Sequence, residues 1–150
     1  MNNKKTSSAQ IRNFALAWLA ALALFVISFL TKAPVHPAIQ IALGLLILLI
    51  AITFATGGFH YLEIEPKDDL INIKYFNLFP IGREFKSLQI PYKRFSHIKT
   101  KNTFGGLFRY FYLYEQTSRG LARYPKIGLT SLSKAERNEI IAFFKKLEIK

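Results

Sequence analysis

The sequence predicts an α+β fold, in which a two-helix transmembrane hairpin precedes an antiparallel β sandwich or barrel that is capped by a C-terminal α-helix. Charge divides the chain, because residues 14–56 contain one Lys or Arg and no Asp or Glu, while all nine acidic residues lie at or after Glu63. The spacing of apolar residues changes from helical to alternating after Gly57 and becomes helical again near the C-terminus. These observations indicate an apolar helical unit joined to a charged, strand-rich unit.

The apolar unit contains two charge-free runs, 14–31 and 38–56, of 18 and 19 residues. At 1.5 Å per residue each helix would extend about 27–29 Å, which matches the hydrocarbon core of a bilayer. Two buried core helices are the alternative, but a remaining domain of roughly 95 residues is too small to cover both. A cleaved signal peptide is disfavoured because the first run exceeds the usual apolar length of about 7–15 residues. We therefore expect a tail at 1–13, a hairpin at 14–56 and a domain at 57–150.

The distribution of Lys and Arg predicts the orientation of the hairpin. Three precede the first run, one lies in the connector "KAPVHP" at 32–37, and seventeen follow the second run. Because positive residues are retained on the cytoplasmic side, the sequence predicts a multi-pass protein of the cell (inner) membrane with both termini in the cytoplasm. The two prolines of the connector prevent one continuous helix, and Gly44 offers a notch for close helix packing.

Six segments after Gly57 have the composition and alternation of strands and are separated by turn residues. They are 59–65, 70–76, 83–90, 94–101, 107–116 and 121–129. A helix follows, since Ser133 and Glu136 form a capping box ahead of an apolar stripe. The stripe consists of Ile140, Ile141, Phe143, Phe144 and Leu147. It requires an apolar surface to pack against, and the predicted sheet supplies one.

Three stretches carry a family resemblance: "YLEIEPKDDLINIKYF", the later "IPYKRFSHIKT", and the terminal "SKAERNEIIAFFKKL". In pattern and order the chain resembles bacterial membrane proteins that have an N-terminal two-helix transmembrane hairpin and a PH-like (pleckstrin-homology-like) domain. The resemblance implies a seven-strand, barrel-like sandwich, one strand more than the six counted here. The basic signature of phosphoinositide-binding PH domains is not matched, because Arg83 is followed by Glu84 and Phe85, so inositol-lipid specificity is not implied.

The run "GGLFRYFYLYE" at 105–115 is the most aromatic part of the domain. In a strand, Phe108, Tyr110, Tyr112 and Tyr114 would point to one side and Leu107, Arg109, Phe111 and Leu113 to the other. Because both sides are substantially apolar, the pattern favours a core strand, with contact to the membrane or a partner as the alternative. An RNA-stacking surface is disfavoured, since the RNA-recognition octamer is absent, and nucleic acid is not an expected partner.

No motif in the sequence predicts an enzyme. Nucleophile-elbow, P-loop and zinc-protease patterns are absent, and His36, His60 and His97 lie far apart in the predicted layout without metal-ligand spacing. The chain has no cysteine, which excludes thiolate metal sites. We therefore expect no catalytic residues, no metal and no cofactor.

Charge predicts the partners. Residues 57–150 contain seventeen Lys and Arg and nine acidic residues, a net charge of +8, beside a predicted bilayer. The candidate residues for contact with lipid or a protein partner are Phe79, Ile81, Lys93, Arg94, Lys99 and Lys101; an equally simple interpretation of the lysines and arginines is a solvated face. The sequence thus predicts a binding or scaffold module for membrane lipids, a protein partner or further copies of itself. The alternative is a small membrane enzyme or regulatory subunit whose site forms with other chains.

Overall fold

The computed structural model describes residues 1–31 and 35–148 and confirms the predicted α+β class. Two long helices come first, α1 (Lys4–Leu30) and α2 (Pro37–Thr56). Seven strands and a helix follow: β1 (His60–Lys67), β2 (Leu70–Asn77), β3 (Lys86–Pro91), β4 (Phe95–Thr103), β5 (Phe108–Thr117), β6 (Gly120–Arg123), β7 (Ile127–Gly128) and α3 (Lys134–Leu147). Part of the predicted connector, residues 32–34, lies outside the described residues.

Helices α1 and α2 form an antiparallel hairpin whose apolar side chains are largely exposed. Phe14 stacks on Phe54 at one end of the pair, and Gln40 donates a hydrogen bond to the carbonyl of Ser28 near the other. A Cβ at Gly44 would lie 3.7 Å from the Phe25 ring, so the expected close packing occurs there. Both helices are long and apolar enough to cross a membrane, with mean hydropathies of 2.2 and 2.6 over their most apolar windows.

The first helix is longer than the predicted span, because it begins at Lys4. The residues ahead of it pair with the domain: Asn2 forms an antiparallel bridge with Glu63, and the Asn3 amide donates to the Leu62 carbonyl at 3.3 Å. Thr6, in the first turn, donates to both carboxylate oxygens of Glu136 in α3. The start of α1 therefore contacts β1 and α3, and residues 4–13 of the segment predicted as a tail are helical.

The strands form two antiparallel sheets. One has the order β1-β2-β3, and the other has β4-β5-β6 with β7 also paired to β5. The predicted sixth strand, 121–129, is two separate strands, which brings the described total to seven. Pro125 lies between them and has no amide hydrogen to donate to the ladder, so pairing with β5 stops after Arg123 and resumes at Ile127.

The core lies between the two sheets and under α3. Its fully buried members come from all strands except β6 and from α3, and the largest are Phe95, Phe111 and Phe144. The Phe144 ring lies 5.6 Å from Phe95 and 5.9 Å from Phe111, so α3 packs across β4 and β5. The predicted capping box is present, with the Ser133 hydroxyl accepting from the Glu136 amide. The helix stripe therefore covers the sheet as expected.

Candidate functional site

The domain has two ends, which the strands connect. At the helix-proximal end, where α2 ends and β1 begins, lie the starts of β1, β3 and β5 and the ends of β2 and β4. Three hydrogen bonds attach this end to α2: Asn77 Nδ2 to the Ala55 carbonyl (2.7 Å), Tyr110 Oη to the Thr56 carbonyl (2.9 Å) and Thr130 Oγ1 to the Gly57 carbonyl (2.7 Å). The far end carries the turns at 68–69, 92–94 and 118–119. The domain is thus fixed to the hairpin by one end.

The first tip, residues 79–85, links β2 to β3 at the helix-proximal end. Of the two residues predicted here for lipid or partner contact, Phe79 is half-buried, with its ring 6.0 Å from that of Phe14 in α1. Ile81 is 77% exposed. Phe85, which sequence reasoning missed, is 78% exposed and packs one edge against Phe76. Phe79 therefore attaches the tip to the hairpin, while Ile81 is exposed at the turn and Phe85 is exposed on the outer side of Phe76.

The second tip, residues 104–107, links β4 to β5 beside the end of α2. Phe104 and Leu107 are 77% and 72% exposed. Phe104 has a φ of 50°, a left-handed conformation that is uncommon for a bulky residue. Phe108 anchors the tip, because a Cβ at Gly57 would lie only 2.7 Å from its ring. Leu107 was predicted inside a strand; the preceding Gly-Gly pair was the signal that the chain turns there.

The residues of the aromatic run at 105–115 lie largely where the alternation predicted. Phe111 and Leu113 are fully buried in the core, which confirms the core interpretation for that side of β5. On the other side, cations lie over the rings: Lys126 Nζ is 4.9 Å from the Tyr110 centroid and Arg123 Cζ is 5.3 Å from that of Tyr112. This strand is thus a core element with a half-covered tyrosine face.

The four predicted basic residues do not form one patch. Lys99 and Lys101 project from one face of β4, where they are paired in register with Tyr112 and Tyr110. Lys93 and Arg94 lie at the far end, about 20–25 Å along the strand from Lys101 at 3.3 Å per residue. Only Lys101 lies close to the helix-proximal end.

Arg94 also has a partner within the domain. Its Nη2 lies 2.6 Å from Oε1 of the buried Glu115, and the Tyr124 hydroxyl donates to the other oxygen of that carboxylate. Burial and this hydrogen bond raise the pKa of Tyr124 to about 12. The network neutralises a buried carboxylate, which is sufficient reason for Arg94 to be there.

A cleft of about 510 Å³ lies between the last turn of α2 and the domain. Its polar lining includes His60, Tyr75, Lys86, Tyr110 and Lys126. His60 Nδ1 accepts from the Gly128 amide at 3.1 Å, and burial, together with the charges of Lys86 and Lys126, lowers the pKa of His60 to about 4 against a hydrogen bond with Gly58 that raises it. Lys86 forms an exposed ion pair with Glu84 at 3.0 Å. Cationic and phenolic groups therefore surround the point where α2 enters the domain.

Within residues 1–31 and 35–148, no group of three or more His, Asp or Glu side chains is arranged to hold a metal ion. No protein-family model, curated protein or solved structure matches the chain. The geometry of the helix-proximal end is thus the evidence from which a function must be argued.

Proposed function

We propose that the hairpin crosses the bilayer twice and holds a PH-like binding module against its cytoplasmic surface, with both termini in the cytoplasm. One observation carries the proposal: the two tips that flank the end of α2 expose four large apolar side chains, Ile81, Phe85, Phe104 and Leu107. Scattered exposed apolar residues are ordinary on a protein surface, but a group at one end of a domain is typical of a contact surface. Here that end also faces the helices that would enter lipid.

The charge of the domain supports the same arrangement. Lys101, Lys126 and Lys86 lie near the helix-proximal end, and each basic residue near an anionic leaflet contributes about 1 kcal/mol. Full burial of a large apolar side chain contributes about 1.5–3 kcal/mol more. The tyrosines around the cleft suit the boundary between hydrocarbon and water, where aromatic residues with a polar end are enriched. The domain thus combines apolar tips and cations on the surface beside α2.

The role we propose is binding or scaffolding. Two antiparallel sheets with seven described strands and one C-terminal helix fit the outline that the PH-like resemblance implies. Because the N-terminal residues, α2 and the tips are all joined to the domain by direct contacts, the hairpin would present the domain in one fixed pose. A fixed pose leaves the far end free to contact a protein partner or another copy of the chain.

The orientation can be tested by cysteine labelling, because the chain has no cysteine of its own. In cells that express the full chain as His36→Cys or Ser118→Cys, a membrane-impermeant maleimide is added before or after permeabilisation. We expect labelling of the position-36 variant in intact cells and of the position-118 variant only after permeabilisation. The reverse pattern would overturn the proposed orientation.

The position of the tips can be tested by fluorescence depth measurement on the full chain in nanodiscs. Bimane attached at Ile81→Cys or Phe104→Cys should be quenched by lipid-borne quenchers, whereas bimane at Asp68→Cys or Ser118→Cys at the far end should be quenched only from water. Equal quenching from water at all four positions would contradict the proposed contact of the tips with the bilayer. Shielding of the tips in cells but not in nanodiscs would assign them to a protein partner instead of lipid.

A further inference from the structure

Behind the second tip, a polar notch of about 170 Å³ opens between the β4–β5 pair and α3. Its lining combines two arginines with apolar and neutral polar residues, and its polar members are Thr100, Asn102, Arg109, Tyr110, Arg137 and Asn138. It is separate from the cleft beside α2 and shares only Tyr110 with it. None of the residues predicted from the sequence for lipid or partner contact lines it.

Arg109 is fixed at the helix-proximal end. Its Nε donates to the carbonyl of Gly106 in the second tip at 3.0 Å. Its backbone amide donates at 3.0 Å to Thr130 Oγ1, and that hydroxyl in turn donates to the Gly57 carbonyl at the end of α2. Asn102 lies directly opposite Arg109 in the β4–β5 register. The guanidinium is therefore held at the level of the tip.

Arg137 reaches the notch from the first turns of α3. One of its Nη atoms donates to the Leu132 carbonyl, which orients the side chain. Burial lowers the pKa of Arg137, the charge of Arg109 lowers it further, and the charge of Glu136 opposes both. The Glu136 carboxylate is itself occupied by the Ser133 amide and the Thr6 hydroxyl. Among the described residues, neither arginine forms an ion pair with a carboxylate.

Two half-buried cations that share a notch repel each other, and an anion between them would relieve the repulsion. Each guanidinium has five N–H donors, of which the side-chain hydrogen bonds described above use one. Planar guanidinium forks match the oxygens of a phosphate better than lysine does. The amides of Asn102 and Asn138 and the hydroxyl of Thr100 supply further neutral donors at the same opening. The notch is thus charged and partly preorganised for one small oxyanion.

We propose that the Arg109–Arg137 notch binds a phosphate group. Two sources of that group are chemically equivalent at the notch, the headgroup of an anionic lipid and a soluble phosphate compound. The lipid source rests on the proposed function, because Arg109 is bonded to the tip that would enter the interface. In that arrangement Phe104 and Leu107 reach the acyl chains while the arginines lie at the depth of the phosphates.

Native mass spectrometry of the full chain in mild detergent tests the lipid source. With phosphatidylglycerol as the probe and phosphatidylcholine as the zwitterionic comparison, we expect retention of phosphatidylglycerol. Arg109→Gln and Arg137→Gln should each weaken that retention about tenfold or more, since each removes charge-assisted hydrogen bonds to the phosphate. The matched control is Arg119→Gln, which removes one exposed arginine at the far end and should change retention less than about twofold. Equal loss in all three variants would overturn a specific notch.

Binding of a soluble phosphate compound is tested by adding inorganic phosphate to the detergent-solubilised chain. The measured quantity is the thermal midpoint of unfolding. A midpoint that rises with phosphate in the wild type but not in Arg109→Gln supports the notch with a soluble ligand. Retention of phosphatidylglycerol without a phosphate response supports the lipid source. Absence of both effects overturns the proposal.

A variant at Asn102 tests the notch even if the arginine variants fail to fold. Asn102→Glu places a carboxylate opposite Arg109 in the lining of the notch, so it should raise the thermal midpoint and abolish binding of both probes. Asn102→Gln has nearly the same size without the charge and should do neither. If Asn102→Glu leaves binding intact, the notch is not the site. The phosphate response in detergent does not depend on the bilayer, so it can stand even if the tips prove to face water and the proposed function fails.

Discussion

The two ends of the β domain are built from the same strands but present opposite surfaces. The helix-proximal end exposes Ile81, Phe85, Phe104 and Leu107, whereas the far end exposes an acidic turn at 68–69, a polar turn at 118–119 and a basic turn at 92–94, with Leu70 and Leu121 less exposed beside them, at 36% and 53%. Alternation along the strands decides which residues enter the core, and it is the same from one end to the other. The links between strands decide what each end contacts. An apolar end beside two apolar helices and a charged end away from them is the arrangement expected of a domain that lies on a bilayer.

The ends also differ in how they are held together. At the helix-proximal end, side chains from separate segments bond to one another: Asn3 donates to the His60 carbonyl and to Ser131 Oγ, and its Oδ1 accepts from the Leu62 amide. At the far end, the buried Glu115 joins Arg94 to Tyr124, and the other hydrogen bonds there are mainly those of turns, such as Thr117 Oγ1 to the Gly120 carbonyl. The helix-proximal end should therefore respond most strongly to substitution and to pH.

The largest effect expected at the helix-proximal end is a loss of stability in acid that depends on His60. Because burial lowers the folded-state pKa to about 4 from 6.5, the unfolded chain binds more protons between those two values. The stability contributed by neutral His60 is fully present above pH 6.5. It is lost as the pH falls toward 4, by about 2 kcal/mol at pH 5 and about 3 kcal/mol near pH 4. The measurement is unfolding of the full chain in mild detergent, followed by near-UV circular dichroism.

The control variant for this effect is His60→Gln, whose side-chain oxygen can accept from the Gly128 amide but does not titrate. Acidic residues also titrate in this range, so the informative quantity is the difference in unfolding free energy between wild type and variant. That difference should shrink by about 2 kcal/mol from pH 7 to pH 5. A pH-independent difference would mean that His60 is not buried as described.

A smaller effect is expected from two buried asparagines that differ in what they connect. Asn3→Ala removes three hydrogen bonds that join the start of α1, β1 and the segment before α3, and it should cost about 2 kcal/mol. Asn72→Ala removes bonds to Glu65 and Ser87 within one sheet, whose partners can turn to water, and it should cost about 1 kcal/mol. Denaturant unfolding in detergent measures both. A larger loss for Asn72→Ala would show that the helix-proximal end is not the more tightly connected one.

Local pattern was enough to predict much of this architecture. The charge-free runs predicted both helices, alternation predicted the strands, and the Ser133–Glu136 capping box predicted the start of α3. Each of these signals lies within a window of a few residues to about twenty. The split of the sixth predicted strand was also within reach, because Pro125 stands inside 121–129 and proline interrupts a ladder.

The candidate sites were harder to predict because they depend on residues far apart in the chain. Arg109 and Arg137 face one notch although 28 positions separate them, and nothing in the local sequence of either indicates the other. The basic group chosen by density along the chain is spread over the length of β4 instead. Ile81 was found because a hairpin turn exposes its residues, whereas Phe104 was missed because the Gly-Gly pair was interpreted only as a turn.

The smallest effect on folding, and the sharpest contrast between surface and core, is expected at the second tip. Phe104→Ser should change the unfolding free energy in detergent by less than about 0.5 kcal/mol, because the side chain is already exposed. The same substitution at Phe111, seven residues later and fully buried, should cost about 3–5 kcal/mol. Thermal unfolding of the two variants side by side measures the contrast.

The interpretation of the second tip as a contact surface depends on this small change in the unfolding free energy of Phe104→Ser. Phe104 contacts the Phe108 ring edge to face at 5.6 Å but remains 77% exposed, in a left-handed backbone position that is uncommon for a bulky residue, so a contact outside the chain would explain a phenylalanine there. In nanodiscs, Phe104→Ser should then move bimane at Ile81→Cys toward water, since in the proposed arrangement both tips contact one surface and the loss of one loosens the other. If Phe104→Ser instead costs as much stability as a core substitution, the tip packs against the protein, and the difference between the two ends of the domain is a matter of folding instead of contact with a membrane.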